Sequence, residues 1–140
     1  MPHYQATLTL ETHGHSLTEI TQEVAAVVRD AHVSIGLATV FVRHTSCSLL
    51  IQENADADVQ RDLLAFFNRL VPDGDPLFIH TSEGPDDMPA HVKAALTQTS
   101  IAVPIAQGRM LLGTWQGIYL FEHRRASHRR QFVVHVAGDA

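Results

Sequence analysis

The sequence contains one cysteine, Cys47, and this scarcity excludes an internal disulfide framework and a cysteine-based metal cluster. Long apolar runs are also missing. The runs 31–42 and 101–105 are interrupted by polar residues well short of a membrane span, and no basic start is followed by an apolar secretion segment. We therefore expect a soluble cytoplasmic protein with no membrane contact.

Positive charge is scarce as well. Ten lysines and arginines face 15 acidic residues, giving a net charge of −5, which argues against nucleic acid as a partner. Four of the ten basic residues lie close together at Arg124, Arg125, Arg129 and Arg130. Such a patch can meet a phosphate, but a solvated hairpin tip is the interpretation that we favour.

The remaining composition is that of an ordinary folded domain. The chain has 140 residues, of which 45% are apolar, enough for a core without disulfides or a structural metal. There is no internal repeat and no low-complexity linker. We therefore expect residues 1–140 to form one domain.

Residue periodicity predicts the secondary structure of the first half of the chain. Tyr4 to Thr12 alternates like a half-buried strand, and Ser16-Leu17-Thr18-Glu19 has the pattern of a capping box that begins a helix. Segments 34–43 and 47–52 indicate two strands paired with each other. Segment 55–70 is typical of an amphipathic helix with Val59, Leu63, Phe66, Phe67 and Leu70 on its inner face.

The second half begins with a breaker cluster at 72–76, followed by a short strand at 77–80 and a helix whose first turn contains Pro89 and which runs to Gln98. Four further strands are predicted at 99–105, 110–112, 117–122 and 131–136. Helices interspersed with hairpin-joined strands indicate an α+β domain with a mostly antiparallel or mixed sheet and about three helices.

Ten histidines are the most unusual count, and one of them completes the clearest functional pattern. Asp87 and His91 are four residues apart and share one helix face, with His80 just before them as a third candidate. Carboxylate and imidazole suit a zinc-like or manganese-like ion, and equally a base whose tautomer an acid fixes. The spacing also fits a capping aspartate beside an exposed helix histidine.

A second pattern lies at the junction of two predicted strands. His44 is followed by Ser46 and Cys47, so an imidazole stands beside two groups that it could activate as nucleophiles. Local turn chemistry, with the hydroxyl bound to the backbone and the thiol packed inward, explains the same residues and is favoured for Cys47.

Two further segments contain residues that suit ligand binding. Asn54 is a neutral donor and acceptor at the end of an apolar strand, although ordinary capping explains most of that turn. Trp115 and Gln116 lie between two glycines, and a Trp face beside an amide can hold a flat heterocycle. A buried Trp that covers the edge of the core fits the glycine-flanked pattern too.

Taken together and in order, four motifs resemble the YjbQ family, also called the secondary thiamine-phosphate synthase family, over about residues 4–136. The motifs are HTSCS at 44–48, ENAD at 53–56, EGPDDMPAHVK at 83–93 and LGTWQGI at 112–118. The resemblance implies a compact α+β fold, a homotrimer and a site around Asp87 and His91. His44, Asn54, Trp115 and Gln116 enter as further candidates through the same motifs, and Glu122 follows the last of them.

The family name implies that a pyrimidine diphosphate releases pyrophosphate as a thiazole phosphate attacks it, with Trp115 and Gln116 available as the platform. Such diphosphate chemistry usually calls for magnesium held by carboxylates, whereas His44, His80, Asp87 and His91 suit a zinc-like or manganese-like ion. The first hypothesis is therefore an enzyme of small-molecule phosphate chemistry at a His/Asp pocket, with thiamine-phosphate synthesis as the candidate reaction. The alternatives are metal-dependent hydrolysis of a small ester or phosphoester and trimeric binding of a phosphorylated metabolite without catalysis.

Overall fold

Strands and helices follow one another irregularly along residues 2–140, the part of the chain that the computed structural model describes. The elements in chain order are β1 (His3–His13), β2 (Ser16–Glu19), α1 (Thr21–Asp30), β3 (Ile35–Val42), β4 (Cys47–Glu53), α2 (Ala57–Leu70), α3 (Asp87–Leu96), β5 (Ser100–Ala106), β6 (Arg109–Met110), β7 (Gln116–Glu122) and β8 (Ser127–Asp139). The predicted α+β class with about three helices is confirmed.

The strands form two antiparallel sheets. One has five strands in the order β1-β8-β3-β5-β6, and the other has three in the order β2-β7-β4. Apolar side chains that alternate along the strands form the core together with one face of α1, which contributes Val24, Val27 and Val28. The burial of these side chains supplies the main favourable free energy of folding.

Two glycines allow the central strands of the larger sheet to meet closely. Gly36 in β3 lies opposite Gly138 in β8. A Cβ atom added to Gly36 would lie 2.1 Å from the carbonyl oxygen of Ala137, and one added to Gly138 would lie 2.1 Å from that of Ile35. Only residues without a side chain fit this crossing.

The capping-box prediction for residues 16–19 is wrong. These residues form β2, in which Leu17 pairs with Phe121 of β7. Helix α1 begins only at Thr21, and its N-cap residue, Ile20, makes no side-chain cap hydrogen bond. Pairing with a buried strand overrides a local capping pattern, which stabilises a helix by only about 1 kcal/mol.

Three other local predictions also differ from the structure. Strands β3 and β4 do not pair with each other but belong to different sheets. Helix α2 contains no fully buried residue, and Phe66 and Leu70 on its predicted inner face are 49% and 54% exposed. Residues 77–80 form no strand, and Leu77 and Ile79 point into solvent at 78% and 97% exposure.

The smaller sheet positions the polar site. Cys47, the first residue of β4, lies opposite Glu122, the last residue of β7. Helix α3 contacts β4, and Leu49 of β4 forms a bridge with Gln98 just after α3. The start of β4, the end of β7 and the side of α3 therefore meet at one end of the sheet. No helix within residues 2–140 has the length and apolarity needed to cross a membrane.

Candidate functional site

Two histidines and one aspartate converge at the beginning of α3. Oδ2 of Asp87 lies 2.7 Å from Nε2 of His80 and 3.1 Å from Nε2 of His91. One potential ligand atom from each of these residues lies within 4.8 Å of the other two. His80 and His91 are partly exposed, whereas Asp87 is 2% exposed. We call these three residues the His–Asp–His cluster.

Helix α3 positions Asp87 and His91, and the preceding loop positions His80. Asp87 and His91 are one helical turn apart on α3, so their side chains share a face. His80 comes from the loop before the helix, where Gly84 with a φ of 106° turns the chain back towards α3. The cluster is thus built from one short, continuous segment.

Arg124 fixes the carboxylate of Asp87 from the other side. Its Nη1 donates to Oδ1 of Asp87 at 2.8 Å, its Nε donates to Oδ2 of Asp86 at 3.0 Å, and its Nη2 donates to the carbonyl oxygen of Glu83. Oδ1 of Asp87 therefore binds arginine while Oδ2 faces the two histidines. An arginine bound to one carboxylate oxygen fixes the direction in which the other oxygen points.

Asp86 has a structural part in this arrangement. It occupies the N-cap position of α3 but makes no side-chain cap hydrogen bond, because its Oδ2 accepts from Nε of Arg124 and from the backbone N–H of Arg125. Burial opposes ionisation of Asp86, but those hydrogen bonds outweigh it and lower its pKa to about 2. Asp86 therefore lies at the N-cap position, but its side chain belongs to an arginine clamp and does not cap the helix.

The hydrogen bonds around His91 define its tautomer. Nδ1 of His91 lies 3.0 Å from the carbonyl oxygen of Thr45, which can only accept, so Nδ1 carries a proton. In neutral imidazole, Nε2 then presents a lone pair towards the Asp87 carboxylate. Two lone pairs repel unless a proton or a cation lies between them. This tautomer is the one that metal-binding histidines usually adopt when a carbonyl oxygen fixes the ring.

The Asp87 carboxylate is held in its charged form. Burial would raise its pKa, but the hydrogen bond with His80 and the charges of His91 and Arg124 outweigh burial and hold the pKa below its ordinary value. The cluster therefore has a permanent negative charge facing two imidazole nitrogens. That arrangement attracts a cation or a proton.

His44, which the sequence indicates as a catalytic residue and metal ligand, lies beside the cluster but does not join it. Its Nε2 accepts the backbone N–H of Gln131 at 2.8 Å. Burial and the charge of Arg130 lower the pKa of His44, so the ring is neutral with its proton on Nδ1. His44 can then donate a hydrogen bond, but neither nitrogen is free to bind a metal.

Two open grooves flank the cluster. One, of about 470 Å³, is lined by Phe41, Val42, Arg43, His44, Thr45, His91, Ala94, Ala95 and Thr99. The other, of about 330 Å³, reaches His80 and is lined largely by the loop 74–85 with Met88 and Pro89. The first groove has an apolar floor and a guanidinium, so it suits a small molecule with one apolar and one anionic part.

Three predicted ligand-binding residues lie at the opposite end of the smaller sheet. Glu53 at the end of β4 pairs with Gln116 at the start of β7, six residues along the strand from Glu122, or roughly 20 Å at about 3.3 Å per residue. Asn54 Nδ2 donates to Oε2 of Glu19, and Trp115 is 63% exposed. Within one chain, Asn54, Trp115 and Gln116 do not meet the His–Asp–His cluster.

Glu122, another predicted ligand-binding residue, is completely buried. Its carboxylate accepts from Nε and Nη2 of Arg130, from the hydroxyl of Thr12 and from the backbone N–H groups of His123 and Arg124. Burial opposes ionisation, but the bonds with Arg130 and Thr12 hold the pKa of Glu122 below its ordinary value. Both carboxylate oxygens are occupied by donors from within the protein. Glu122 therefore stabilises the fold around the site and does not contact a ligand.

The nucleophile-pair interpretation of Ser46 and Cys47 has no geometric support. Cys47 is 1% exposed, and burial raises the pKa of its thiol to about 12, which removes the reactive thiolate. The hydroxyl of Ser46 accepts from Nη2 of Arg130 at 2.9 Å. Both residues therefore serve local packing and hydrogen bonding, the alternative favoured for Cys47 from the sequence.

The Arg-rich turn is partly buried, which the charge pattern alone does not indicate. Arg130 is 3% exposed and pairs with Glu122, while Arg124 holds Asp86 and Asp87. The interpretation as a solvated tip holds only for Arg125 and Arg129, both of which are exposed. The sequence offers one indication of this burial. Glu83, Asp86 and Asp87 lie close together without a lysine or arginine in their loop, and acidic side chains that become buried need a basic partner from elsewhere.

Two buried polar side chains lie close to residues of the site in the chain: Lys93 in α3 and His123 directly after β7, next to Arg124. His123 is 1% exposed, with Nε2 2.8 Å from the hydroxyl oxygen of Ser48 and no hydrogen-bond partner for Nδ1 within residues 2–140. Lys93 is 2% exposed and donates to Oδ1 of Asn68 at 2.7 Å. Burial, assisted by the charge of Lys93, lowers the pKa of His123 to about 3.

This burial predicts a loss of stability in acid. In the unfolded chain the imidazole of His123 takes up a proton near its ordinary pKa of about 6.5, whereas the folded protein keeps it neutral down to about pH 3. Between these values the unfolded state binds more protons, so the free energy of unfolding falls as the pH falls. His123 alone should remove about 2 kcal/mol between about pH 7.5 and about pH 5.

Urea unfolding of the wild-type protein and of His123→Gln at several pH values measures this contribution. The variant should show a pH dependence that is shallower by about 2 kcal/mol over that interval, whatever its stability at neutral pH. His13→Gln, on an exposed strand position, is the matched control and should keep the wild-type slope. An equal slope in His123→Gln and wild type would contradict a neutral, buried His123.

The fold and the cluster define an α+β protein of two antiparallel sheets with a cation-capable or proton-capable His/Asp site. The chain belongs to the YjbQ/UPF0047 family, whose sequence model, described as "UPF0047 protein YjbQ-like", matches residues 6–139. This confirms the resemblance found in the four motifs.

Individual relatives agree over nearly their whole lengths. The UPF0047 protein sll1880 of Synechocystis is 52% identical over 136 residues, covering 97% of this chain and 92% of that protein. UPF0047 protein YjbQ of Escherichia coli O157:H7 is 40% identical, covering 97% and 99%. A Clostridium acetobutylicum crystal structure, described as an uncharacterized conserved protein of the family, has 34% identity and a TM-score of 0.87, covering 94% and 99%.

Proposed function

We propose that this protein is a metal-dependent enzyme that hydrolyses a small phosphoester, with a divalent cation bound by His80, Asp87 and His91. The observation that carries the proposal is the convergence of these three ligand atoms, each within 4.8 Å of the others. The family description and the names of the relatives give no reaction, so the chemistry is argued from this site alone.

The residues fit a cation of the zinc-like or manganese-like kind. Two imidazole nitrogens and one carboxylate oxygen form a mixed donor set, whereas magnesium favours oxygen donors with several waters. The hydrogen bond from Nδ1 of His91 to the carbonyl oxygen of Thr45 leaves Nε2 with the lone pair that a metal needs. Arg124 binds Oδ1 of Asp87 and so leaves Oδ2 for the metal.

Held by His80, Asp87 and His91, such a cation would leave room for water and would lower its pKa enough to supply a nucleophile near neutral pH. The neighbouring residues have separate tasks. Arg43 lines the groove that contains His91 and can hold a phosphate oxygen. His44, neutral with its proton on Nδ1, can donate a hydrogen bond to the substrate but cannot act as the base.

Thiamine-phosphate synthesis is the finer function that the family name implies, and it stays a prediction. It requires a platform for the pyrimidine next to the site that neutralises the diphosphate. In one chain, Trp115 and Gln116 lie at the far end of β7 from the cluster. A neighbouring copy of the chain would therefore have to supply the platform. The two imidazoles and one carboxylate of the cluster also favour hydrolysis over magnesium-assisted pyrophosphate release.

The homotrimer implied by the resemblance also stays a prediction. Support for association comes from several large apolar side chains that are more than half exposed, namely Ile35, Leu70, Leu77, Ile79, Leu96, Leu111 and Trp115. Sedimentation equilibrium should give the mass of three 15.4 kDa chains. A mass of one chain at all concentrations would contradict the assembly.

Calorimetry with Zn²⁺, Mn²⁺ and Mg²⁺, combined with an assay of p-nitrophenyl phosphate hydrolysis, tests the proposed function. We expect one Zn²⁺ or Mn²⁺ per chain, weaker binding of Mg²⁺, and metal-dependent release of p-nitrophenol that chelation abolishes. His91→Ala should lose both binding and turnover with its circular dichroism spectrum unchanged. Metal binding without product from any phosphoester would instead favour a non-catalytic binding protein, and absence of metal binding would contradict the proposal.

A further inference from the structure

A third groove, which includes no residue of the His–Asp–His cluster, lies between helix α1 and the β5–β6 hairpin. It encloses about 450 Å³ and is lined by Thr21, Ala25, Val28, Arg29, Gln107, Gly108, Arg109, Met110 and Leu112. An adjoining space of about 370 Å³ shares four of these residues and adds His32, Val33 and Ser34. The two spaces therefore form one elongated depression, which we call the arginine groove.

The charge of the arginine groove is one-sided. Arg29 comes from the last turn of α1 and Arg109 from the start of β6, and no carboxylate lines either space. Among residues 2–140, neither arginine takes part in an ion pair. The two guanidinium groups, with no carboxylate beside them in the groove, create a local positive potential.

The apolar part of the groove's lining is packed against the core. Val28 is buried in the core, and Ala25, Met110 and Leu112 are half-buried beside it. The hairpin turn holds Gln107 and Gly108 at positive φ, and the backbone N–H of Gly108 donates to the carbonyl oxygen of Ser34 at 3.1 Å. A ligand would thus enter a formed depression and would not have to order a loop.

We infer that the arginine groove binds a small organic phosphate monoester that carries a short apolar group. Two guanidinium groups offer planar pairs of N–H donors that match the oxygens and the double negative charge of a phosphate monoester. The half-buried apolar side chains contact the hydrocarbon part. None of the lining residues belongs to the His–Asp–His cluster or to the grooves beside it, so this site is independent of the proposed hydrolysis.

Octyl phosphate is the probe, with octan-1-ol and octanoate as partners of equal chain length. Titration into ¹⁵N-labelled full-length protein, followed by NMR, should shift the amide signals of Ala25, Gly108 and Leu112 in a saturable way. Octan-1-ol should bind at least about tenfold more weakly because it lacks the charge, and octanoate should fall between the two. Equal affinity for octyl phosphate and octan-1-ol, or shifts confined to other parts of the chain, would overturn the inference.

The double variant Arg29→Gln with Arg109→Gln shows whether the two guanidinium groups, and not only the shape of the groove, provide the affinity. Its affinity for octyl phosphate should fall at least about tenfold, and its affinity for octan-1-ol should stay unchanged. Arg61→Gln is the matched control because Arg61 is also exposed, on the distant helix α2; it should bind octyl phosphate as the wild type does. Unchanged phosphate binding by the double variant would overturn the assignment.

Discussion

The Asp87→Asn variant is expected to bind Zn²⁺ or Mn²⁺ at least about 100-fold more weakly than the wild type and to have no measurable phosphoesterase activity. The substitution keeps the size of the side chain but removes the negative charge. Oδ2 of Asp87 is the one carboxylate oxygen that faces both His80 and His91. Without it, two imidazoles remain and the positive charge of the ion is uncompensated. Calorimetry and the hydrolysis assay measure the two losses.

The neighbouring Asp86→Asn is the matched control. Asp86 is buried and bound to Arg124 like Asp87, but no histidine of the cluster contacts it. We therefore expect Asp86→Asn to lower the free energy of unfolding while leaving metal affinity within a few-fold of the wild type. Equal losses of metal affinity in both variants would mean that the arginine clamp as a whole, rather than Asp87 as a ligand, determines binding.

Glu122→Gln should cost about 3–5 kcal/mol of folding free energy, the usual result when one partner of a buried ion pair is removed. Both side chains of the Glu122–Arg130 pair are almost inaccessible, at 0% and 4% exposure. The substitution leaves the Arg130 guanidinium buried with only Ser46 as a partner beyond the amide. Urea unfolding at neutral pH, read by circular dichroism, measures the difference.

Replacing both partners distinguishes the ion pair from general damage to the core. Glu122→Gln with Arg130→Met removes both charges, and it should recover much of the lost stability because no unpaired charge remains and the amide oxygen can still accept from the backbone N–H groups of His123 and Arg124. Arg61→Gln breaks an exposed pair with Asp58 at 3.9 Å and should change stability by less than about 1 kcal/mol. A cost for Glu122→Gln as small as that of Arg61→Gln would contradict the structural role of Glu122.

The patterns that the sequence revealed correctly are those with a local physical cause. Alternation along residues 4–12 predicted β1, and apolar spacing along residues 55–70 predicted α2, whose N-cap residue Asp56 accepts from the backbone N–H of Asp58. The spacing of Asp87 and His91 placed both on one helix face, as the structure has them. Each of these features depends on residues within a few positions of one another.

The features that the sequence did not reveal depend on distant pairings. Residues 16–19 resemble a capping box, yet they form β2 because Leu17 meets Phe121 more than a hundred positions later. Arg124 reaches Asp86 and Asp87 from a turn after β7, and Arg130 meets Glu122 across the same turn. Charge counting cannot show which arginines find such partners, because the pairing is set by the sheet order.

The same limit applies to the ligand-binding residues. Asn54, Trp115 and Gln116 lie in the same set of family motifs as His44, Asp87 and His91, but motifs carry no distances. The antiparallel pairing of β4 with β7 separates the two sets along the length of the sheet. Only the three-dimensional register shows that one chain offers a His–Asp–His cluster at one end and the exposed Trp115 at the other.

Anomalous diffraction from crystals grown with Mn²⁺ or Zn²⁺ shows whether the His–Asp–His cluster binds a cation. We expect one strong anomalous peak per chain, coordinated by Nε2 of His80, Oδ2 of Asp87 and Nε2 of His91, with Arg124 still bound to Oδ1 of Asp87. Absence of any peak between these atoms at saturating metal, or a peak elsewhere with the three side chains unchanged, would contradict cation binding by the cluster.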